Sequence, residues 1–214
     1  MQIPEEDRIT SLAGTGEAEL KIKGSRFLGL AAPAADREEA GKIVLAEKKK
    51  YHAATHHCWA WRGLENPSSE FAFEDDREPS GTAGAPILKT LERANLSGAV
   101  VVVTRWFGGI KLGTGPLARA YSQAATEALE AAPRKEGMLA REFSLFFDYT
   151  LLGAVNQLIG SNPVIVTSRE FTEKAGLNIA VSSSRAESLI SRLTETAAGR
   201  IAIRDLGPRT VFEK

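Results

Sequence analysis

The sequence predicts a mixed α/β protein built from two small domains. Its 214 residues fit one large domain or two small ones. Strand and helix patterns alternate along the first part of the chain and again from residue 142 onward. Between them, residues 132–141 (APRKEGMLAR) interrupt the rhythm with Pro133, Gly137 and four charges, which is typical of a linker. We therefore predict one domain over 1–136 and a second over 137–214.

The elements of the first domain follow from hydrophobic periodicity and from helix start signals. Asp36 and Glu39 have the spacing of a capping box, which predicts that a helix begins there. Thr114 is a good N-cap for a second long helix, and Pro86 suits the first turn of a shorter one that ends near Asn95. Strands are predicted over 17–23, 27–32, 55–62, 70–74 and 98–104, the last being β-branched and apolar.

The second domain has a recognisable order of elements. The patterns predict strand 142–149, helix 151–160, strand 164–171, strand 177–182, helix 186–197 and strand 200–206. Ser184 and Glu187 have capping-box spacing at the start of the second helix. The resulting order, β-α-β-β-α-β, is that of the ferredoxin-like fold.

Composition limits the classes of function. The formal net charge is zero, so the molecule as a whole should not attract nucleic acid or anionic membranes strongly. Cys58 is the single cysteine, which excludes an intrachain disulfide and fits a reducing compartment. The first residues are polar and acidic, unlike a signal peptide, and no apolar run approaches the roughly 20 residues of a membrane span. We expect a cytoplasmic protein with no membrane partner.

The glycine-rich stretch from Glu74 to Ser122 contains the most unusual residue choices. Two segments within it, 74–84 (EDDREPSGTAG) and 105–119 (RWFGGIKLGTGPLAR), each run into a helix. A helix start offers unpaired N–H groups and a positive dipole end, and glycines let a ligand approach. Hydroxyl and cationic side chains there suit phosphate or another anion. The alternative is that the glycines only shape turns and the hydroxyls only cap helices.

The acidic run of Asp75, Asp76 and Glu78 allows three interpretations. An ion network with Arg105 and Arg119 ranks first, a solvated turn second, and a divalent metal site last, because nothing fixes a coordination number. We therefore predict no metal and no cofactor.

The His56-His57-Cys58 segment suggests a metal ligand or a nucleophile. Adjacent strand residues point to opposite faces, so only His56 and Cys58 can share a site. Zinc would need ligands that the sequence does not indicate, and a Cys-His dyad ranks below an inert core cysteine. No catalytic fingerprint is present, so no catalytic residue is predicted.

Four segments resemble the IMPACT/YigZ family, and in particular its bacterial two-domain members. They are 75–88 (DDREPSGTAGAPIL), 102–113 (VVTRWFGGIKLG), 23–27 (KGSRF) and 54–58 (ATHHC). The resemblance covers about residues 17–130. It implies that the first domain has the α/β sandwich of a small-subunit ribosomal protein's second domain, shared with elongation factor G domain IV and the GHMP kinases. The second domain resembles elongation factor G domain V.

This pairing implies a role in translation. The eukaryotic relative, IMPACT, is a translational regulator that competes for the activator of the kinase that senses uncharged tRNA. We expect a regulatory factor, not an enzyme, that binds RNA, the ribosome or a translation-regulatory protein. One alternative is an enzyme for a phosphate or nucleotide ligand that uses the 108–115 loop, and another is a pure protein-binding module.

Two departures from the family pattern narrow the expected ligand site. Arg77 and Pro116 stand where the family usually has glycine. Arg77 restricts the backbone conformation of its turn, and Pro116 removes one N–H donor from the first turn of the helix. The predicted ligand-binding residues are Asp75, Asp76, Glu78, Ser80, Gly81, Thr82, Arg105, Gly108, Gly109, Lys111, Gly113, Thr114, Arg119 and His56.

Overall fold

The computed structural model describes residues 2–212 and divides the chain into two compact units. Thr10–Lys135 form the N-terminal unit, and residues up to Ile9 join those from Glu136 onward in the C-terminal unit. The described residues form ten strands and five α-helices, which confirms the mixed α/β class. In chain order these are β1 (Arg8–Leu12), β2 (Gly16–Ile22), β3 (Ser25–Pro33), α1 (Arg37–Lys50), β4 (His56–Arg62), β5 (Phe71–Glu74), α2 (Gly84–Arg93), β6 (Ala99–Trp106), α3 (Thr114–Ala131), β7 (Arg134–Phe147), α4 (Leu152–Gly160), β8 (Val164–Phe171), β9 (Ala175–Ser182), α5 (Ala186–Thr196) and β10 (Ile201–Phe212).

The N-terminal unit is a sheet between two helical layers. Its strand order is β2-β3-β6-β4-β5, and each neighbouring pair is antiparallel. Successive side chains of the central strand β6 alternate between the two faces. Val101 and Val103 join the core beneath α2 and α3, whereas Val100 and Val102 join the core beneath α1. Because helices cover both faces of the sheet, the side chains on both sides of β6 are mostly apolar and form a continuous apolar run in the sequence.

Helix starts agree with the sequence for α1 and for Pro86 in the first turn of α2, and they differ for α3 and α5. The Asp36 carboxylate accepts a hydrogen bond from the Glu39 amide at 2.8 Å, as the capping box predicts. Thr114 is instead the first residue of α3, and the cap position is Gly113, which has no side chain to accept a hydrogen bond from the first turn. Ser184 does not cap α5, because its hydroxyl and amide are hydrogen-bonded to Asp7.

The C-terminal unit has the predicted β-α-β-β-α-β order, formed by β7, α4, β8, β9, α5 and β10. Strand β7 lies between β9 and β10, and β8 lies outside β9. Helices α4 and α5 cover one face, where Leu145, Ile179 and Leu189 are fully buried. Strand β1, which the sequence did not predict, also pairs with β7.

The predicted linker is wrong for residues 134–141, which form the first half of β7. Strand β10 pairs with them as far as Phe212 opposite Gly137. A Cβ on Gly137 would lie 2.7 Å from the Phe212 ring and the Val211 carbonyl, so close packing accounts for this glycine. Residues 2–9, assigned by sequence to the first domain, cluster with the C-terminal unit, where buried Asp7 accepts hydrogen bonds from Ser182 and Ser184.

Candidate functional site

A cleft of about 350 Å³ opens in the N-terminal unit where β4, β6 and the start of α3 come together. The structure brings six of the predicted site residues to its walls: His56, Glu78, Arg105, Lys111, Gly113 and Thr114. Four apolar residues complete the lining, namely Pro79, Phe107, Leu112 and Leu117. The cleft thus combines a few polar groups with an apolar wall, which is typical of ligand sites.

A buried ion pair forms the floor of the cleft. The Arg105 Nη1 donates to Glu78 Oε1 at 2.5 Å, and both side chains are only 5% exposed. The Tyr121 hydroxyl donates to the same oxygen at 2.7 Å. The Glu78 charge is therefore neutralised by a cation and stabilised by a second donor. This pair is the part of the predicted ion network that forms.

The Arg105 guanidinium is held from several sides but keeps one donor without a partner. Its Nη2 donates to the Ser25 hydroxyl at 3.2 Å, and its Cζ lies 5.2 Å and 5.5 Å from the ring centres of Phe27 and Phe107. Its Nε is buried and has no hydrogen-bond partner among residues 2–212. Buried donors without a partner are rare in folded proteins.

His56 is oriented by the backbone. Its Nδ1 lies 2.8 Å from the Asp76 carbonyl oxygen, which can only accept, so Nδ1 carries the proton. Its Nε2 lies 3.8 Å from Glu78 Oε1. As predicted from strand alternation, His57 faces the other side of the sheet, where burial lowers its pKa despite the attraction of Asp76.

The start of α3 forms the electropositive wall of the cleft. Gly113 adopts a left-handed φ of 82°, and no side chain caps the helix that follows. Pro116 has no N–H, so the amides of Thr114 and Gly115 are the first that this 18-residue helix can offer. Lys111 is exposed immediately before the helix. Together these groups favour an anion.

Asp75 and Asp76 hold the loop that precedes α2. The Asp75 carboxylate accepts from the backbone amides of Gly81, Ala83 and Gly84 at 2.8–3.0 Å. The Asp76 carboxylate accepts from the His57 amide at 2.6 Å. These carboxylates have protein partners and do not line the cleft. Asp76 and Arg77 both have positive φ, 41° and 70°, so arginine occupies a conformation that glycine adopts easily.

The remaining predicted residues lie outside the cleft. A Cβ on Gly108 would come within 1.9 Å of the Gly24 carbonyl carbon, so this glycine permits a backbone crossing. The Thr82 hydroxyl donates to the Pro79 carbonyl, whereas Arg119 lines a separate groove between α2 and α3. Three others, Ser80, Gly81 and Gly109, are exposed.

Cys58 and Tyr121 are unsuited to nucleophilic chemistry. Burial raises the pKa of the Cys58 thiol, which donates to the Asp75 carbonyl at 3.0 Å. Burial also raises the pKa of the Tyr121 hydroxyl, so both groups stay protonated at neutral pH. Within residues 2–212, no three His, Cys, Asp or Glu side chains are grouped to hold a metal ion. No helix in the described chain is long and apolar enough to cross a membrane.

Sequence reasoning missed the role of Tyr121 and the apolar wall of the cleft. Tyr121 lies on the buried face of α3, and its hydroxyl donates to Glu78, 43 positions away in the sequence. The available signal was a polar hydroxyl on an otherwise apolar helix face, since a buried tyrosine usually finds a hydrogen-bond partner.

Comparisons with known proteins identify both units. The Impact N-terminal domain model matches residues 23–129, and a domain of unknown function, DUF1949, matches residues 145–200. An IMPACT family member of Haemophilus influenzae is 36% identical, over 86% of this chain and 90% of that protein. IMPACT family member YvyE of Bacillus subtilis is 34% identical, over 93% and 91%.

More distant similarities extend this result. Protein IMPACT of Rattus norvegicus is 32% identical over 98 residues, which are 45% of this chain and 31% of that protein. The crystal structure of a hypothetical protein, 28% identical in sequence, superimposes with a TM-score of 0.65 and covers 92% of this chain and 96% of its own.

Proposed function

The chain belongs to the IMPACT family, and we propose that it is a translation-associated regulatory factor that binds a component of the translation apparatus: RNA, the ribosome or a translation protein. The similarity to protein IMPACT of Rattus norvegicus supports a link to translational regulation. Both units have relatives in bacterial proteins of nearly the same length, so the two-unit architecture is a property of those relatives too.

The observation that carries this proposal is an exposed apolar loop beside the cleft. Phe107 and Ile110 are 45% and 55% exposed, and Lys111 follows them. The base of the loop is anchored, because the Phe107 amide donates to the Thr55 hydroxyl and the Gly108 amide to the Ser25 hydroxyl. Large apolar side chains presented on an anchored loop, with a cation among them, are typical of a binding surface.

Sedimentation with ribosomes in low salt tests the proposal. We expect the chain to enter the ribosomal fraction or to retain RNA or a translation protein. The double variant Phe107→Ser/Ile110→Ser should lose this association. Phe71→Ser is the matched control, because Phe71 is 47% exposed on the edge strand β5 and outside the cleft. A chain that stays entirely free and retains neither RNA nor a translation protein would refute the proposal.

The same loop serves the alternative of a pure protein-binding module. Charge reversal at Lys111 is the appropriate variant, because Lys111 is exposed and carries no ion pair among residues 2–212. Arg105 is unsuitable, since reversing a buried, paired charge would disrupt folding. Lys111→Glu should abolish capture of an acidic protein partner while the thermal unfolding midpoint stays within about 2 °C of the parent chain.

The alternative of an enzyme for a phosphate or nucleotide ligand rests on the uncapped start of α3. Stabilisation by phosphate compounds in a thermal-shift screen would support ligand binding, and product formation would be needed for turnover. Burial keeps Cys58 and Tyr121 protonated, so neither is a ready nucleophile for such a reaction.

A further inference from the structure

We propose that the cleft beside α3 binds a small ligand with a phosphate-type oxyanion at one end and a ring-sized apolar body at the other. This inference goes beyond the proposed function, because it neither requires nor identifies a partner in translation. It rests on three features of the cleft: an unneutralised positive wall, a buried donor without an acceptor, and an apolar wall of matching size.

The positive wall selects an anion. The start of α3 and the exposed Lys111 form part of the cleft wall, and no side chain caps the helix. The only carboxylate among the lining residues is that of Glu78, whose charge is already paired with Arg105. The cleft therefore keeps a net positive character from the lysine and the helix dipole.

The buried guanidinium is an independent indication of a ligand. Arg105 is 4% exposed, lines the cleft, and has an Nε donor for which residues 2–212 supply no acceptor. Its other two nitrogens are satisfied by Glu78 and Ser25. A residue in the wall of the cleft thus carries a buried donor without a partner, whereas buried donors are almost always paired.

The apolar wall sets the rest of the ligand. Phe107, Leu112 and Leu117 line the cleft together with Pro79. A volume of about 350 Å³ lies at the small end of the range of ligand sites, which suits one ring and its substituent. A bare inorganic ion would leave this apolar surface in contact with water and would gain nothing from it.

The larger groove between α2 and α3, about 740 Å³, does not show the same selectivity. Three cations, Lys89, Arg93 and Arg119, line it together with two carboxylates, Glu127 and Glu130, so charges of both signs lie along it.

Isothermal titration calorimetry on the full chain tests the proposal with three probes: phenyl phosphate, inorganic phosphate and phenol. We expect phenyl phosphate to bind with a Kd below about 1 mM, at least tenfold tighter than either of the others, because only it has both parts of the ligand. Inorganic phosphate tests the anion alone, and phenol tests the ring alone.

Two variants and one control separate binding from folding. Lys111→Gln should weaken phenyl phosphate at least fivefold. Thr114→Asp places a carboxylate in the first turn of α3, so it should abolish binding without lowering the thermal unfolding midpoint. Lys89→Gln, an exposed lysine of the other groove, should leave the Kd unchanged.

The proposal is overturned if phenyl phosphate shows no saturable binding up to about 10 mM, or if the three probes bind equally. Equal weakening by Lys111→Gln and Lys89→Gln would also overturn it, since the attraction would then be a diffuse surface effect. Failure of ribosome sedimentation leaves these outcomes unaffected, so the two proposals can fail separately.

Discussion

Replacing Glu78 by glutamine isolates the contribution of the buried charge beneath the cleft. The side chain keeps its shape and an oxygen that can accept from Arg105 and Tyr121, but the negative charge is lost. Arg105 would then be a buried cation without a counter-charge, in a place where both partners are only 5% exposed. Removing one partner of a buried pair typically costs about 3–5 kcal/mol, and the retained hydrogen bonds place Glu78→Gln near the lower end.

Urea denaturation followed by tryptophan fluorescence is the appropriate assay. Trp59, Trp61 and Trp106 all lie in the N-terminal unit, so their signal reports on that unit. Glu19→Gln is the matched control, because Glu19 pairs with Arg26 at the surface, where solvent screens the attraction. Equal losses of unfolding free energy in the two variants would refute the argument that burial makes the Glu78 charge essential.

A double variant distinguishes an unpaired charge from simple loss of packing. Arg105→Met alone leaves the Glu78 carboxylate buried with Tyr121 as its remaining close donor. Combined with Glu78→Gln, it removes both charges, so the total cost should be smaller than the sum of the single costs by at least about 1 kcal/mol. Additive costs would show that the two charges do not depend on each other.

Three further predictions concern the surroundings of the site. Burial lowers the pKa of His57, so the unfolded chain takes up the proton first and the unfolding free energy should fall as the pH drops below about 6.5. In a pH series, the urea midpoints of His57→Gln should therefore change less than those of the parent chain. An unchanged pH dependence would contradict this explanation. Arg77 has a φ of 70°, so Arg77→Gly should raise the unfolding free energy from urea titration by up to about 1 kcal/mol after the entropy of glycine is counted, and a clear loss of unfolding free energy would contradict the strain argument. Gly108→Ala forces a Cβ against the Gly24 backbone and should cost at least about 3 kcal/mol, and a neutral result in the same assay would exclude the close crossing.

Local patterns predicted most of the secondary structure, since periodicity and start signals act within a few residues. The apolar run of β6 and the element order of the C-terminal unit are examples. Strand β1 was missed because its partner β7 lies more than 120 positions away in the sequence. The error at residues 134–141 has a related cause: Gly137 is required by packing against Phe212, which the local sequence cannot show.

The candidate site was likewise predictable only in the part that local sequence patterns encode. The sequence indicated six of the residues that line the cleft, because glycines, cations and a helix start are visible in the order of residues. It could not separate Glu78 from Asp75, two carboxylates three positions apart. Their different roles depend on the loop that folds back onto the start of α2 and on a hydroxyl of α3, and both are tertiary contacts.

Site-specific photo-crosslinking at position 110 tests the central claim most directly. A photoreactive amino acid in place of Ile110 would sit on the exposed loop, where the native side chain is 55% exposed. Under ultraviolet light in a cell extract, we predict crosslinks to ribosomal RNA, a ribosomal protein or a translation factor, and none of these from position 71 on β5. Crosslinks only to proteins outside translation, or the same products from both positions, would contradict the claim that this loop binds the translation apparatus.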